Sequence, residues 1–590
     1  MRSTPPRVLL IISMFIGTSG GCRTMLVDRT DRDVYGLIAD RQDAALGETS
    51  NVQLDPLQDG DPSSERMYRF TPRPIDARLP DAFRTPKPAP KRDASDTSQE
   101  SSNEEPAQAR VLSPNIFTDS ELDRVLVFGL SDVLAYAARH ARDLVSAKED
   151  LYLAALDLTL ERHLWTPQFV AGATATYDDF ADGSEFDRAM QTVSDVSLSQ
   201  RLPFGGDVTA RVIHTLTHDV RQLVEKGEDG QVILSANLPL LRGAGRSAYE
   251  SRYAAERELI YAIRRFERFR RAFLVNIAGE YFSLQQSKAS IDNTHVSYLN
   301  RKLDWERADF MHQVGRSRSV FEAPRAKSTF RDAEAALVSA KERYESALDR
   351  FKILIGMPVD SLLDVLSQQE DTEANALDSL LPNVAEQTAV ETASRYRLDL
   401  LNSADSVDDA RRGVGVAKNR VLPDLALTGS ATFGSDLDQL RPVNFREERA
   451  DWQGGINLAI DDRKTERNAY RAAMIAQRRA EREHDEFKDT VRADVRRALR
   501  SIAQQDNLRT IRTLSVEENE RRVEAARAQY RLGKSTNQDV VDAENDLLRA
   551  RNEYAAAVAA YREAILAFRR DTGTLRLSDT GQLLSQPTGP

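Results

Sequence analysis

The chain of 590 residues has a single cysteine, Cys22. That excludes a disulfide framework within the chain and any metal site built from several thiolates. Aromatic residues make up only 7%. After residue 20 there is no apolar run of the roughly 20 residues that a membrane-spanning helix needs. A bundle of such helices is therefore excluded. A β-barrel is not, because barrel strands alternate and leave a weak hydropathy signal. An excess of positive charge is also lacking. Lys and Arg number 81 against 92 Asp and Glu, a net charge of −11, which gives no support to nucleic-acid binding. There is no P-loop, HExxH, nucleophile elbow or dinucleotide fingerprint, and Gly413 and Gly415 do not make a GxGxxG. No enzymatic activity, cofactor or metal is expected. His214 and His218 lie four apart in a predicted strand, so they share a face and could pair on a metal, but surface or lumen histidines are the ordinary reading.

What is present begins with an export signal. Arg2 and Arg7 precede the apolar stretch Val8–Gly17, which is too short to span a bilayer stably. Small residues then lead into Cys22, an arrangement that resembles a bacterial lipoprotein signal, with Ser19 where Leu is usual. In that family the Cys is acylated after cleavage, and several chains anchor durably where one does not. Ordinary secretory cleavage, leaving a free Cys22, is the alternative. Arg23 rather than Asp after the Cys favours the outer membrane. Residues 1–21 are thus a signal peptide, and 22–122 an acidic, Pro-rich and largely disordered leader with sticky points at Met25–Leu26 and Tyr35–Ile38. Residues 361–385 read as a linker, and 574–590 as a polar tail.

An internal repeat decides the architecture. At an offset of 256, Arg139, Asp143, Leu144, Ala154 and Pro167 coincide with Arg395, Asp399, Leu400, Ala410 and Pro423. At 220, Asn237-Leu238 coincide with Asn457-Leu458, and at 217, Tyr344, Phe351 and Gly356 with Tyr561, Phe568 and Gly573. The first copy spans 123–360 and the second 386–573, each in the order helix, strand, strand, long helix, turn, helix. The shortening of the offset by 36 between the two prolines and the two Asn-Leu pairs implies an extra hairpin in the first copy, at about 193–219. It either adds membrane strands or stands on the surface.

After Pro167 and Pro423 the chain alternates with period two. Phe169, Ala171, Ala173, Ala175 and Tyr177 share one face, as do Leu425, Leu427, Ala431 and Phe433. A barrel strand between lipid and water has this pattern, and so does a half-buried soluble sheet. From Arg246 to Gln313 there is no Pro and only Gly279, and 464–531 holds neither Gly nor Pro. Helices of that length reach about 100 Å. Seams at spacings of three and four, Leu337 to Ile355 and Ala550 to Phe568, lie beside charged faces as in coiled coils.

The duplicated order and three paired motifs resemble the TolC-like outer-membrane efflux protein family over about residues 125–573. The motifs are a Pro opening the first strand (LWTPQF, VLPDL), a second strand running into a helix (NLPLLRGAGRSAYE, NLAIDDRKTERNAY) and a Gly turn between long helices (HQVGRSRSVFEAPRA, YRLGKSTNQDVVDAE). The resemblance implies a mainly α fold with a membrane β-barrel portion. Two tandem repeats form, as a homotrimer, a β-barrel plus a long periplasmic α-barrel. It implies an exit duct for efflux or type I secretion, in the outer membrane and extending into the periplasm. The partners would be outer-membrane lipid, a periplasmic adaptor (membrane fusion) protein and an inner-membrane RND-type or ABC transporter. A periplasmic coiled-coil spacer is the competing reading. By the same resemblance Val314, Gly315, Arg316, Leu532, Gly533 and Lys534 contact the adaptor, and Tyr530, Asp539 and Asp542 form the periplasmic constriction. Ser535 stands where the family prototype has a gating Arg, and Phe321 and Pro324 stand where the first copy would need acids, with Glu322 nearby.

Overall fold

The computed structural model describes residues 22–46, 125–179, 188–219, 225–315, 320–377, 384–435, 445–532 and 534–578, with a few isolated positions between them. The signal peptide and most of the leader lie outside these residues. The chain divides into two compact units, Met1–Met25 with Leu54–Ile116, and Leu26–Gln53 with Phe117–Pro590. Nearly all of the first lies outside the described residues. The elements that follow belong to the second, apart from the first four residues of α1.

The leader departs from its expectation at α1, Cys22–Leu46, a helix of 25 residues. Its stripe Val34, Ile38 and Gln42, spaced by four, is buried. Tyr35 lies 5.6 Å from Tyr152, centroid to centroid, and Arg41 pairs with Glu256 at 3.3 Å. A short amphipathic stripe inside a polar segment finds a partner surface, which composition alone does not reveal.

The first copy runs β1 (Leu126–Phe128), α2 (Leu130–His140), α3 (Arg142–His163), β2 (Gln168–Asp179), β3 (Arg188–Arg201), β4 (Asp207–Asp219), β5 (Glu225–Pro239), α4 (Glu250–Gln313) and α5 (Glu322–Ile355). After β6 (Leu363–Val365) and α6 (Thr372–Leu377) the second copy follows: α7 (Glu386–Tyr396), α8 (Leu398–Arg420), β7 (Asp424–Ser435), β8 (Phe445–Ala459), α9 (Lys464–Arg531) and α10 (Asn537–Asp571). The starts of α7, α8 and β7 each lie 256 residues after those of α2, α3 and β2, and β8 starts 220 after β5. The repeat is therefore structural as well as sequential. Its copies also close alike. Gly356 ends α5 at φ +81°, where an added Cβ would lie 2.0 Å from the His140 carbonyl oxygen. Gly573 follows α10 at φ +70°, where it would lie 2.7 Å from that of Tyr396. Only glycine combines that conformation with so close an approach.

The linker is more structured than its composition suggests. β6 pairs in parallel with β1, Leu126 opposite Leu363 and Phe128 opposite Val365. Its polar residues anchor it to the long helices: Tyr344 Oη donates to Asp364 at 2.6 Å and Tyr281 Oη to Asp371 at 2.6 Å. The C-terminal tail likewise starts later than expected, because Leu575 and Leu577 are buried. The seams pack as their spacing implies, from Leu337 to Ile355 and from Ala550 to Phe568, except that Tyr554 is 37% exposed.

The strands of both copies join one antiparallel sheet in the order β2-β3-β4-β5-β7-β8. The extra hairpin is β3 and β4, and it begins five residues earlier than the sequence placed it. A prolyl residue stands just before β2 and before β7, at the one place where a strand tolerates a missing N–H.

Candidate functional site

α4 and α5 meet in one turn, α9 and α10 in another, at the ends of the long helices away from the sheet. In the first turn Val314 N donates to Phe310 O at 3.1 Å, and Gly315 takes φ +66°. In the second, Leu532 N donates to Ala528 O at 3.1 Å and Lys534 N to Gln529 O at 2.9 Å. Arg316 and Gly533 lie outside the described residues. The tips present apolar surface: Val314, Val320, Phe321 and Leu532 are exposed, Phe321 by 78% and Leu532 by 72%. Such patches mark interaction sites more often than chance.

The structure brings the two turns together. A cavity of about 250 Å³ lies between them, lined by Phe321, Glu322, Arg325, Tyr530, Thr536 and Val541. Tyr530 Oη donates to Glu322 Oε1 at 3.4 Å across it. Burial first, and then the Glu322 carboxylate, push the Tyr530 phenol above its ordinary value, so it stays a neutral donor. Glu322 is thus the first-copy partner of Tyr530, 208 residues away in sequence.

Asp539 and Asp542 are both exposed on α10. Asp539 caps the helix. Its Oδ2 accepts from Thr536 N at 2.7 Å and Thr536 Oγ1 at 2.8 Å, while Asp539 N donates to Thr536 Oγ1 at 3.3 Å. The bond from the Thr536 backbone, followed by that from its hydroxyl, holds the carboxyl below its usual range. Asp542 accepts from Gln538 Nε2 at 2.7 Å. One helix turn separates the two carboxylates, so they share a face.

Behind the tips lies a buried charge network that the sequence did not reveal. Arg301 of α4, 3% exposed, pairs with Glu544 of α10 at 2.8 Å and donates to Val541 O at 2.9 Å. Arg527 of α9 reaches the same carboxylate at 2.6 Å. Asp304 is pushed above the usual carboxylate range, by burial and then by Glu544, while Arg301 opposes the shift. The visible signal was Arg301 standing three residues after the buried Tyr298, in line with the buried face of α4.

The other candidates are quickly placed. Cys22 is the first residue of α1, and its side chain lies outside the described residues. His214 joins the face of Ala210 and Val212 on β4, by the alternation of the strand. Among the described residues no cluster could hold a metal ion, and no helix is long and apolar enough to cross a membrane.

Residues 389–574 match the family model described as outer membrane efflux protein. No curated protein matches the sequence. The *Campylobacter jejuni* CmeC outer membrane channel is 18% identical, with a TM-score of 0.56 over 75% of this chain and 85% of that one. VceC, an outer membrane protein of *Vibrio cholerae*, is 15% identical, with a TM-score of 0.54 over 75% of this chain and 96% of its own. The open state of the *Neisseria gonorrhoeae* MtrE outer membrane channel is 16% identical, with a TM-score of 0.55 over 75% and 88%. The family match covers the second copy to within a few residues at each end, and the structural likeness takes in more than either copy alone. This chain has the TolC-like outer-membrane efflux fold, and its second copy carries the outer membrane efflux protein signature.

Proposed function

We propose that three copies of this chain form a passive channel in the outer membrane, the exit duct of a tripartite efflux pump or a type I secretion system. The observation that carries this reading is the joining of both copies' strands into one antiparallel sheet that continues into helices of 64 and 68 residues. At about 1.5 Å per residue those helices reach roughly 100 Å, enough to carry a duct deep into the periplasm. Open sheet edges are not tolerated in lipid, and symmetric association removes them. Acyl chains on Cys22 tie the leader to outer-membrane lipid.

At the far end, the exposed tips around Val314, Gly315, Arg316, Leu532, Gly533 and Lys534 receive a periplasmic adaptor, which links the duct to an RND-type or ABC transporter. Tyr530, held to Glu322, keeps the two turns together and the throat narrow. Asp539 and Asp542 of three protomers set six carboxylates around that throat. Such a ring attracts cations, and low-dielectric walls strengthen its field.

Purified full-length protein in planar bilayers tests the reading. It is expected to conduct ions with a cation preference, and Asp539→Asn/Asp542→Asn to weaken both that preference and block by multivalent cations from the periplasmic side. A folded protein that never conducts would be a coiled-coil spacer instead. Conductance with unchanged selectivity in the double variant would keep the duct and remove the two aspartates from its throat. The anchor is checked by acyl labelling, which Cys22→Ser should abolish.

A further inference from the structure

The first copy contributes four strands to the sheet and the second two. The extra pair, β3 and β4, is no appendage. β3 hydrogen-bonds along its length to β2 on one side and β4 on the other, and β4 pairs in turn with β5. Register decides which face each side chain joins, since a slip of one residue would reverse every one of them. No such slip interrupts the rows that cross the sheet from Phe169 to Trp452 and from Ala171 to Ala450, and the register shifts only beyond Leu216 in β4 and Phe433 in β7. One row across all six strands reads Phe169, Leu198, Ala210, Leu234, Ala431, Trp452, and the next reads Ala171, Val196, Val212, Val232, Phe433, Ala450. The opposite face carries the row Gln168, Ser199, Thr209, Ser235, Ser430, Gln453. The hairpin therefore has the same apolar and polar sides as the strands around it. On the apolar side Phe169 is 68% exposed and Trp452 77%.

The sheet also ends in two open edges. β2, 12 residues long, and β8, 15 residues long, lie at opposite ends of the strand order and do not pair with each other. Neither holds a Pro or a Lys, the usual guards of an edge strand. Five antiparallel pairings separate them, so they run in opposite directions. An antiparallel bond from β2 of one copy to β8 of another is therefore the one that keeps the alternation intact. Six strands are too few to enclose a water-filled channel, since even eight leave room only for side chains or one small ligand.

Resting on the trimeric channel reading above, we infer that β2 of each protomer pairs with β8 of the next, and that the membrane barrel has eighteen strands, six from each of three copies. β3 and β4 are membrane strands of that barrel. A strand spacing of about 4.8 Å and a tilt of about 40° give a barrel of roughly 36 Å across, backbone to backbone. Without the hairpin the same trimer would close at twelve strands and roughly 24 Å. The cross-section differs by about 2.2-fold. The outer mouth, lined by Ser, Thr and Gln, is then a wide hydrated exit for bulky cargo, and selection by size falls to the periplasmic tip.

Single-particle electron microscopy of the full-length protein in lipid nanodiscs tests this directly. The expected result is one barrel of eighteen strands with β2 beside the neighbour's β8. A trimer whose barrel has twelve strands, with β3 and β4 folded outside it, overturns the inference and leaves the channel reading standing. Absence of a trimer or of a barrel overturns both. A second measurement works in native membranes. Hydrophilic, membrane-impermeant maleimide should label Ser197→Cys and Thr209→Cys, which face the lumen, at least several-fold faster than Val196→Cys and Val212→Cys, which face lipid. Equal labelling of all four would place the hairpin in water on both sides and refute its membership of the barrel.

Discussion

The two copies share an order of elements and differ in what each element meets. α4 of the first copy buries 20 of its 64 residues, while α9, its counterpart, buries five of 68: Val491, Val495, Ala498, Ile502 and Val523. α4 is packed by α3, α5, α8 and α10, so it is the central helix of the chain. α9 is an outer helix, with Ile475, Ile511 and Leu514 exposed beside its charges. The tips differ too. α10 starts with a reciprocal cap between Thr536 and Asp539, whereas α5 starts at Phe321 with no side-chain cap. A duplicated sequence can therefore keep its fold while the long helix before the turn lies in the core in one copy and on the outside in the other.

The largest expected effect breaks the link between the copies. Arg301 of the first copy neutralises Glu544 of the second in a site from which water is excluded. Arg301→Met leaves the buried Glu544 carboxylate with only the more exposed Arg527 beside it and should cost about 3–5 kcal/mol in denaturant unfolding. Arg527 contacts the same carboxylate but is 40% exposed. Arg527→Met should cost only about 0–1 kcal/mol. Equal costs would mean that the copies are not coupled through Arg301. Next come the matched glycines. Gly356→Ala and Gly573→Ala each force a left-handed residue against a backbone carbonyl, at about 1–3 kcal/mol apiece. The closer approach at Gly356 makes the first-copy variant the worse of the two, and a larger loss at Gly573 would contradict that ranking.

The copies were legible in sequence because three signals repeat at fixed spacing: the prolines before the strands, the period-two alternation after them, and the seam ending in Gly356 or Gly573. Apart from the extra hairpin, which the shortened offset exposed, elements without a repeated partner were not. β6 is short and α1 has only a narrow apolar stripe, and both lie in polar segments and are stabilised by residues far away, such as Leu126 and Tyr152. At the tips, periodicity located the turns but not their contacts. Tyr530 meets Glu322 only because the chain doubles back over two long helices. Arg301 and Glu544 could be read as charged but not as each other's neighbours. The cap, by contrast, is legible in the sequence. Thr536-x-x-Asp539 at the head of an apolar-periodic segment has the spacing of a capping box, which gives Asp539 a structural duty beside the one proposed for it in the throat.

That double duty leads to the smallest effect expected, confined to the second copy. Thr536→Ala removes both hydroxyl bonds of the cap and should loosen the first turn of α10 by about 1 kcal/mol. Phe321→Ala should leave the first turn of α5 as it was, because no side chain caps it. The second-copy effect also depends on pH. The bonds from Thr536 lower the folded-state pKa of Asp539 below its unfolded value. Their stabilisation is therefore full above the ordinary carboxylate range and is lost as pH falls below about 4, through the depressed value. Amide protection factors in the first turn of α10 should differ between wild type and Thr536→Ala at neutral pH, and the difference should shrink near pH 3. It should not vanish, because Thr536 Oγ1 still accepts from Asp539 N after the carboxyl is protonated. A difference that stays the same across this range would mean that the Asp539 carboxylate is not engaged by Thr536 and is free to face the throat.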